Sequence, residues 1–401
     1  MKKIELLAPA GDLQRAKIAI RYGANAVYLG GKRFSLRSRA SNFDIEDIKQ
    51  ACDFAKAHNA HIHVTINMIP HNEDLQGIKD YLKTLEDIGV TAVIVASASF
   101  IQIVKEVAPK LEVHLSTQMN SLNSQTVDFF KKWKVDRVVL GRECSIEDIK
   151  KIGKVASLPI ETFIHGGMCS NYSGRCTLSN RMTLRDANRG GCAQSCRWKY
   201  HLLENDKVIS DDEILLSMSS KDLMAHRYVE DMIHANVSSL KIEGRMKSEY
   251  YIAQVVKTYR KLIDEVYATG HLSEERLTYY AKEFNKAENR PTADGFLSQI
   301  PGENHHLYGV NGAGVTHDFV GYVKSYNEDT QIAMIEVRNY FKTQDHLEVF
   351  GPTIDNEDFI VETLHDEENQ DIEIANKPMQ LLQCKIPFKV SPHDMIRKVR
   401  T

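Results

Sequence analysis

No apolar run in the sequence approaches the ~20 residues that a membrane-spanning helix requires, so no membrane partner is expected. Charge of one sign is also lacking. The formal net charge is -3 over 401 residues, so any nucleic-acid partner must be held by a local basic patch, not by bulk attraction. The opening segment MKKIELLAPAGD has no apolar stretch of signal-peptide length, which points to a cytoplasmic chain with reduced thiols. There is no Cys-x2-Cys knuckle of the usual zinc type, and no G-x-G-x-x-G follows the first strand-like run. The latter weakens a dinucleotide-binding reading. H-E-x-x-H and G-x-S-x-G are both missing, which removes two common routes to peptide hydrolysis.

Hydrophobic residues make up 42% of the chain and charged residues 26%, enough for a sizeable core. Short apolar runs begin near Ile4, Ala26, His61, Thr91, Glu112, Arg137, Pro159 and Ser238, with amphipathic stretches between most of them. Gly23 and Gly89 fall where helix C-caps belong. Eight such units predict an α/β chain folded as a (β/α)8 TIM-like barrel over residues 1–268. The interval between the seventh and eighth runs is long, so residues 169–236 read as an insertion at the C-terminal mouth of the barrel. Residues 269–304 read as a helical and loop linker. From Gly314 the pattern changes to period two with turns, which predicts a small antiparallel β-barrel over residues 305–401. That domain is expected to help hold a macromolecular substrate and to carry no chemistry.

Alternation along each barrel strand assigns the interior. Glu5, Tyr28, His63, Thr65, Asn67, His114, Ser116, Gln118, Glu161, Phe163, His165, Ser239, Lys241 and Glu243 take the inward parity. Barrel interiors are usually layers of Val, Ile and Leu. Polar and ionisable groups in their place either pair deep in the barrel or line a working cavity. Asn67, Gln118, His165, Lys241 and Glu243, near the C-terminal strand ends, are the stronger functional candidates.

Cys169, Cys176, Cys192 and Cys196 fall within one 28-residue stretch of a chain with seven cysteines. Four thiolates over a barrel mouth can hold an iron–sulfur cluster or zinc, or can bind nothing. The same insertion carries Arg175, Arg181, Arg185, Arg189, Arg197 and Lys199 against Asp186 alone in residues 169–200. This is either a solvated basic face or a contact for a phosphate backbone. Lys32, Arg33, Arg37 and Arg39 form a second basic run at the same mouth, suited to a carboxylate or a phosphate.

The segment ETFIHGGMCSNYSGRCTLS, Glu161 to Ser179, resembles the signature of the collagenase-like peptidase family U32. ELLAPAGD, the pair Asn42–Phe43, GGCAQSCRWKY from Gly190 and SSLKIEGRMKS from Ser238 are also similar to that family. The resemblance spans about residues 4–265, and the longer, tRNA-acting branch looks nearest. It implies an oxygen-independent hydroxylase that converts wobble uridine of tRNA to 5-hydroxyuridine with prephenate as co-substrate. Gln118, His165, Lys241 and Glu243 would then be the catalytic set, with Arg37, Arg39, Asn67, Glu161, Arg175 and Arg181 holding substrate. Cys169, Cys176 and Cys192 match cysteines that hold a 4Fe–4S cluster in quinone-acting relatives, with Cys196 the candidate fourth ligand. Relatives often have a cysteine in a KDLC segment where this chain has Lys221-Asp222-Leu223-Met224. The alternatives that the resemblance carries are a collagenase-like peptidase and a non-catalytic tRNA-binding partner of a related subunit. Proteolysis is disfavoured by the residues. Ser238 and Lys241, the one S-x-x-K pair, lie three apart on a strand and so face opposite ways.

Overall fold

The computed structural model describes residues 3–36, 42–211, 215–287, 290–308 and 316–400. Eight strands form the barrel: β1 (Glu5–Pro9), β2 (Ala26–Gly30), β3 (His61–Ile66), β4 (Ala92–Val95), β5 (Glu112–Leu115), β6 (Arg137–Val139), β7 (Ile160–Gly166) and β8 (Ser239–Ile242). All neighbours run parallel, and β8 pairs with both β7 and β1, which closes the barrel. The outward-facing residues of β8, Leu240 and Ile242, are fully buried under helices, as the period-two pattern requires.

Helix boundaries follow local chemistry. Asp12 caps α1 (Leu13–Arg21), and Asp44 and Ser145 form capping boxes on α2 (Ile45–Ala57) and on the helix Ile146–Val155. Each satisfies amide groups that the first turn leaves without intrahelical partners. Gly23 and Gly89 follow the helix ends with φ of 108° and 89°, a left-handed conformation that glycine adopts without a Cβ penalty.

The insertion between β7 and β8 is irregular at first. It holds short helical turns, a hairpin of Leu203–Glu204 with Lys207–Val208, and a strand, Asp222–Met224, antiparallel to the end of β7. Its last part, the helix Val229–His234, is the barrel's own crossover helix. The helix Glu249–Thr269 then closes the barrel unit and buries Tyr251, Tyr259 and Ile263 on one face.

The chain divides into two compact units, residues 1–281 with 290–313 and residues 282–289 with 314–401. Residues 305–308, which the sequence pattern groups with the β domain, run with the insertion: Leu307 donates to the Ser219 carbonyl, and Lys221 to that of His305. The second unit holds an eight-stranded antiparallel sheet and a two-stranded one, Phe341–Lys342 with Ile374–Ala375; the edge strands of the larger sheet, Glu357–Ile360 and Asp371–Ile372, do not pair with each other. The expected small barrel is therefore a half-barrel. Its core gathers Val320, Ile335, Val349, Leu382 and Ile396. Fully buried Arg397 meets the Glu348 carboxylate and bonds Asn356 at 3.0 Å, while Lys286 reaches Glu348 at 3.2 Å. The Lys286 contact ties its own segment into the second unit.

Gly153, on the Ile146–Val155 helix, lies so close to the crossover segment that a Cβ would sit 1.9 Å from the Ala235 carbonyl oxygen. A backbone atom cannot swing aside. Gly153→Ala is expected to destabilise the barrel by about 1–3 kcal/mol, read as a lower urea midpoint. An unchanged midpoint would show that this helix shifts freely on the barrel.

Candidate active site at the barrel mouth

The barrel interior is an ionic layer. Arg137, the first residue of β6, reaches across to β1 and contacts Glu5 at 2.5 Å, and it bonds Glu161 of β7 at 3.1 Å. Ser239 donates to Glu5 at 2.8 Å, and Lys241 donates to Glu161 at 2.8 Å. Glu161 and Ser239 have no exposed surface and Lys241 has 4%. Burial alone would raise the Glu161 carboxyl. The facing Lys241 and Arg137 cations override it and hold the group well below the usual carboxylate range. Burial is likewise overcome at Glu5, which the charge and hydrogen bonds of Arg137 hold low. His63 itself is pushed down to about 3, mainly by burial, and so stays neutral beside His114, its ring centroid 4.8 Å away. Two carboxylates and two cations thus balance within the barrel, with a neutral histidine beside them.

Above this layer the mouth is polar. The Lys241 ammonium lies over the rings of Tyr28 (4.6 Å) and Phe163 (5.4 Å). Tyr28 donates to Glu243 at 3.1 Å, and Arg142 stacks on Phe163 at 3.7 Å while approaching Glu243 at 3.9 Å. On the other side Gln118 follows β5, its carbonyl accepting from Arg175 at 2.7 Å and its side-chain oxygen accepting from Asn67 at 3.4 Å. Arg245, after β8, is buried and donates to Ser35, Thr65 and Asn42. Thus Asn42–Phe43 and SSLKIEGRMKS, far apart in sequence, meet at one guanidinium.

One inward assignment is corrected. A bulge in β7 pairs His165 with Ile242, not with the next inward residue, so His165 takes the face of Ile242. It lies against the Glu249–Thr269 helix with Nδ1 3.2 Å from the Tyr259 hydroxyl. Of the expected catalytic set, Gln118, Lys241 and Glu243 are at the mouth and His165 is not. Asn67, Glu161 and Arg175 are built into the same region. Arg181 is exposed on the short helix Leu178–Thr183. Arg37 and Arg39 lie outside the described residues. Arg137, Arg142 and Arg245 were missed from sequence. Arg137 could have been found by extending strand alternation to β6. Arg142 and Arg245 lie beyond strand ends, where alternation gives no signal.

The four clustered cysteines are free thiols: Cys176 buried, Cys192 and Cys196 half-buried, Cys169 exposed. The Asn171 amide approaches the sulfurs of both Cys169 (4.0 Å) and Cys176 (3.3 Å). Burial raises the Cys196 thiol, with Cys169 and Cys192 acting on it in the same direction and Arg197 opposing them. Asn171 thus joins Cys169 to Cys176, and Cys169 and Cys192 both act on Cys196; an all-thiol donor set suits an iron–sulfur cluster or zinc. Among the described residues no three His, Cys, Asp or Glu side chains converge on a single ion. Arg197, next to Cys196, is anchored to the Met168 carbonyl at 3.1 Å and faces fully buried Asp222 at 3.9 Å. Lys247 and Arg290 meet the same carboxylate, each at 3.3 Å. Met224 lies on that short strand, paired with His165.

The basic insertion is partly used internally. Arg189 pairs with Asp74 at 2.8 Å, and Arg175 and Arg197 are engaged as above. The same segment exposes Leu184 and two aromatic side chains, Tyr172 and Trp198, the latter of the kind on which bases stack. The second unit, by contrast, holds 16 acidic and 9 basic side chains over residues 314–401, a charge that repels a phosphate backbone. No helix among the described residues is long and apolar enough to cross a membrane.

The family model for peptidase family U32 matches residues 11–307, and that for the family's C-terminal domain matches residues 315–397. The chain is 45% identical to the tRNA hydroxylation protein P1 of Bacillus subtilis, over 99% of this chain and 95% of that protein. It is 37% identical to the 23S rRNA 5-hydroxycytidine C2501 synthase of Escherichia coli, over 66% of this chain and 40% of that protein. It is 30% identical to a collagenase of Porphyromonas gingivalis, over 98% and 97%.

The ionic layer generates a pH-dependent prediction. Arg137→Met strands Glu5 and Glu161 without their shared cation and should cost about 3–5 kcal/mol at neutral pH. Both carboxyls are held low in the folded protein, so their contribution is present above the ordinary Glu value and is lost as pH falls toward their folded values. The gap between variant and parent should therefore narrow below about pH 4.3, measured by urea unfolding across a pH series. A gap independent of pH would mean that packing, not charge, sets the loss.

Proposed function

This chain belongs to peptidase family U32, and we propose that it is an RNA-hydroxylating enzyme that converts wobble uridine of tRNA to 5-hydroxyuridine. Prephenate is the proposed co-substrate, and Cys169, Cys176, Cys192 and Cys196 are the proposed ligands of a 4Fe–4S cluster. The observation that carries the reading is the chemistry of the mouth. Lys241, held by Glu161, sits beneath a rim of Gln118, Asn67, Glu243 and Arg142. Such a set binds an anionic, oxygen-rich molecule and supplies hydrogen bonds to a base. It does not pair a nucleophile with a base, as peptide hydrolysis requires. His165, the histidine nearest in sequence to Cys169, is turned onto a helix and bonded to Tyr259.

The relatives' names support RNA as the substrate class. The exposed part of the basic insertion is the proposed guide for the RNA backbone, and the target base must leave its stack to reach a barrel cavity. The acidic charge of the second unit favours phosphate contacts on the barrel unit. A cluster, when bound, would supply electron-transfer chemistry beside the mouth. This chain's own part is to hold the four thiolates, with Arg197 as a neighbouring cation. The reading carries with it a cytoplasmic location and a related family subunit as partner.

Two outcomes are expected. Protein purified without oxygen should contain iron and sulfide, and Cys169→Ala with Cys176→Ala should lose most of both. Full iron content in that variant would rule out these ligands. A strain lacking this protein and its family relatives should lose 5-hydroxyuridine-derived nucleosides by mass spectrometry of bulk tRNA. Expression of this chain should restore them, and its Lys241→Met form should not. Normal levels in the depleted strain would contradict the reading.

A further inference from the structure

Gln118 is 3% exposed, and its side-chain nitrogen is buried with no hydrogen-bond partner among the described residues. A buried amide donor left unmatched costs about 1–3 kcal/mol, so its persistence at a barrel mouth asks for a ligand. The polarity of the amide is fixed by a chain of contacts that starts from a backbone group. The Leu36 N–H can only donate, and it donates to Asn67 Oδ1 at 3.3 Å. Asn67 must therefore turn its Nδ2 outward, and that nitrogen donates to Gln118 Oε1 at 3.4 Å. Ser116 is compatible with that orientation without fixing it, since a hydroxyl can donate or accept. Its hydroxyl accepts from the Gln118 backbone N–H and donates to Oε1, both at 3.3 Å. A flip of Gln118 would set its Nε2 against the Asn67 Nδ2, donor to donor, and Arg175 pins the Gln118 backbone carbonyl at 2.7 Å. The mouth is thus presented with an N–H donor and no acceptor at this point.

We propose that Gln118 is a specificity-determining residue that reads a carbonyl oxygen on the target base, selecting uracil, whose O4 accepts, over cytosine, whose N4 amine donates. The inference rests on the RNA reading of the site and deepens it. A relative is named for 5-hydroxycytidine, whereas uridine is the base proposed for this chain, so a difference in base choice between them is expected to rest on individual side chains. A site built around a committed donor rejects a donor strongly, because two N–H groups then face each other in a desolvated pocket.

The test uses the full-length protein, prepared without oxygen, and two tRNA anticodon stem–loops that differ only in uridine or cytidine at the wobble position. Affinity is measured by fluorescence anisotropy. The parent should favour the uridine RNA by at least about tenfold. Gln118→Leu should erase the preference, and Gln118→Glu, which offers only acceptors, should turn it toward cytidine. Substituting 4-thiouridine, a weaker acceptor, should reduce binding to the parent several-fold, an arm that does not depend on a variant folding. Equal affinity of the parent for the uridine and cytidine RNAs would overturn the proposal. So would an unchanged preference in Gln118→Leu, or weakened prephenate binding in that variant with the base preference intact. Parent protein that binds neither RNA above a scrambled stem–loop would instead defeat the RNA reading on which the proposal stands.

Discussion

The contact on which the rest of the molecule depends is Arg137 wedged between Glu5 and Glu161 across the barrel. Two carboxylates cannot stay ionised in a closed interior without a cation between them. Arg137 engages both Glu5 oxygens and one of Glu161, leaving the other Glu161 oxygen for Lys241. Lys241 is thereby held as a fixed ammonium over Tyr28 and Phe163, at the base of the mouth. The layer costs desolvation that Val and Leu would not. What it supplies is a positioned charge, and the groups above it are arranged around that charge.

The bulge in β7 is the second decisive feature. By pairing His165 with Ile242 it removes an imidazole from the mouth and gives it to Tyr259 on the closing helix. Had the strand continued regularly, His165 would have faced inward beside the cysteine-bearing insertion, and a Cys–His pair would have been a serious reading. The mouth is left with Gln118, Asn67, Lys241, Glu243 and Arg142, groups suited to binding and orientation. That distinction separates a hydroxylating reading from the proteolytic one carried by the family's name.

Much of this was legible in the sequence because it follows from period and parity. The eight runs became the eight strands, Gly23 and Gly89 stand just past helix ends, and Lys241 and Glu161 share the interior as alternation requires. What was not legible depends on three-dimensional accidents of register or reach. One extra residue in β7 reverses His165, and no local pattern announces it. Arg142 and Arg245 act from loops past their strands, where side-chain direction is set by partners far away in sequence. Counting charges also overstated the basic surface. Arg189 and Arg197 are engaged with Asp74 and Asp222, carboxylates outside residues 169–200. The cysteine neighbourhood was visible as spacing, whereas its anchoring through Arg197 to the backbone of Met168 was not.

The account stands most directly on one reconstitution. The purified protein, loaded with iron and sulfide without oxygen, is incubated with unmodified tRNA transcript and prephenate, and the digested nucleosides are resolved by mass spectrometry. The account predicts a uridine bearing one added oxygen, formed by the parent protein and absent when Lys241 is replaced by Met. No oxygenated nucleoside, together with cleavage of collagen peptides by the same preparation, would contradict it.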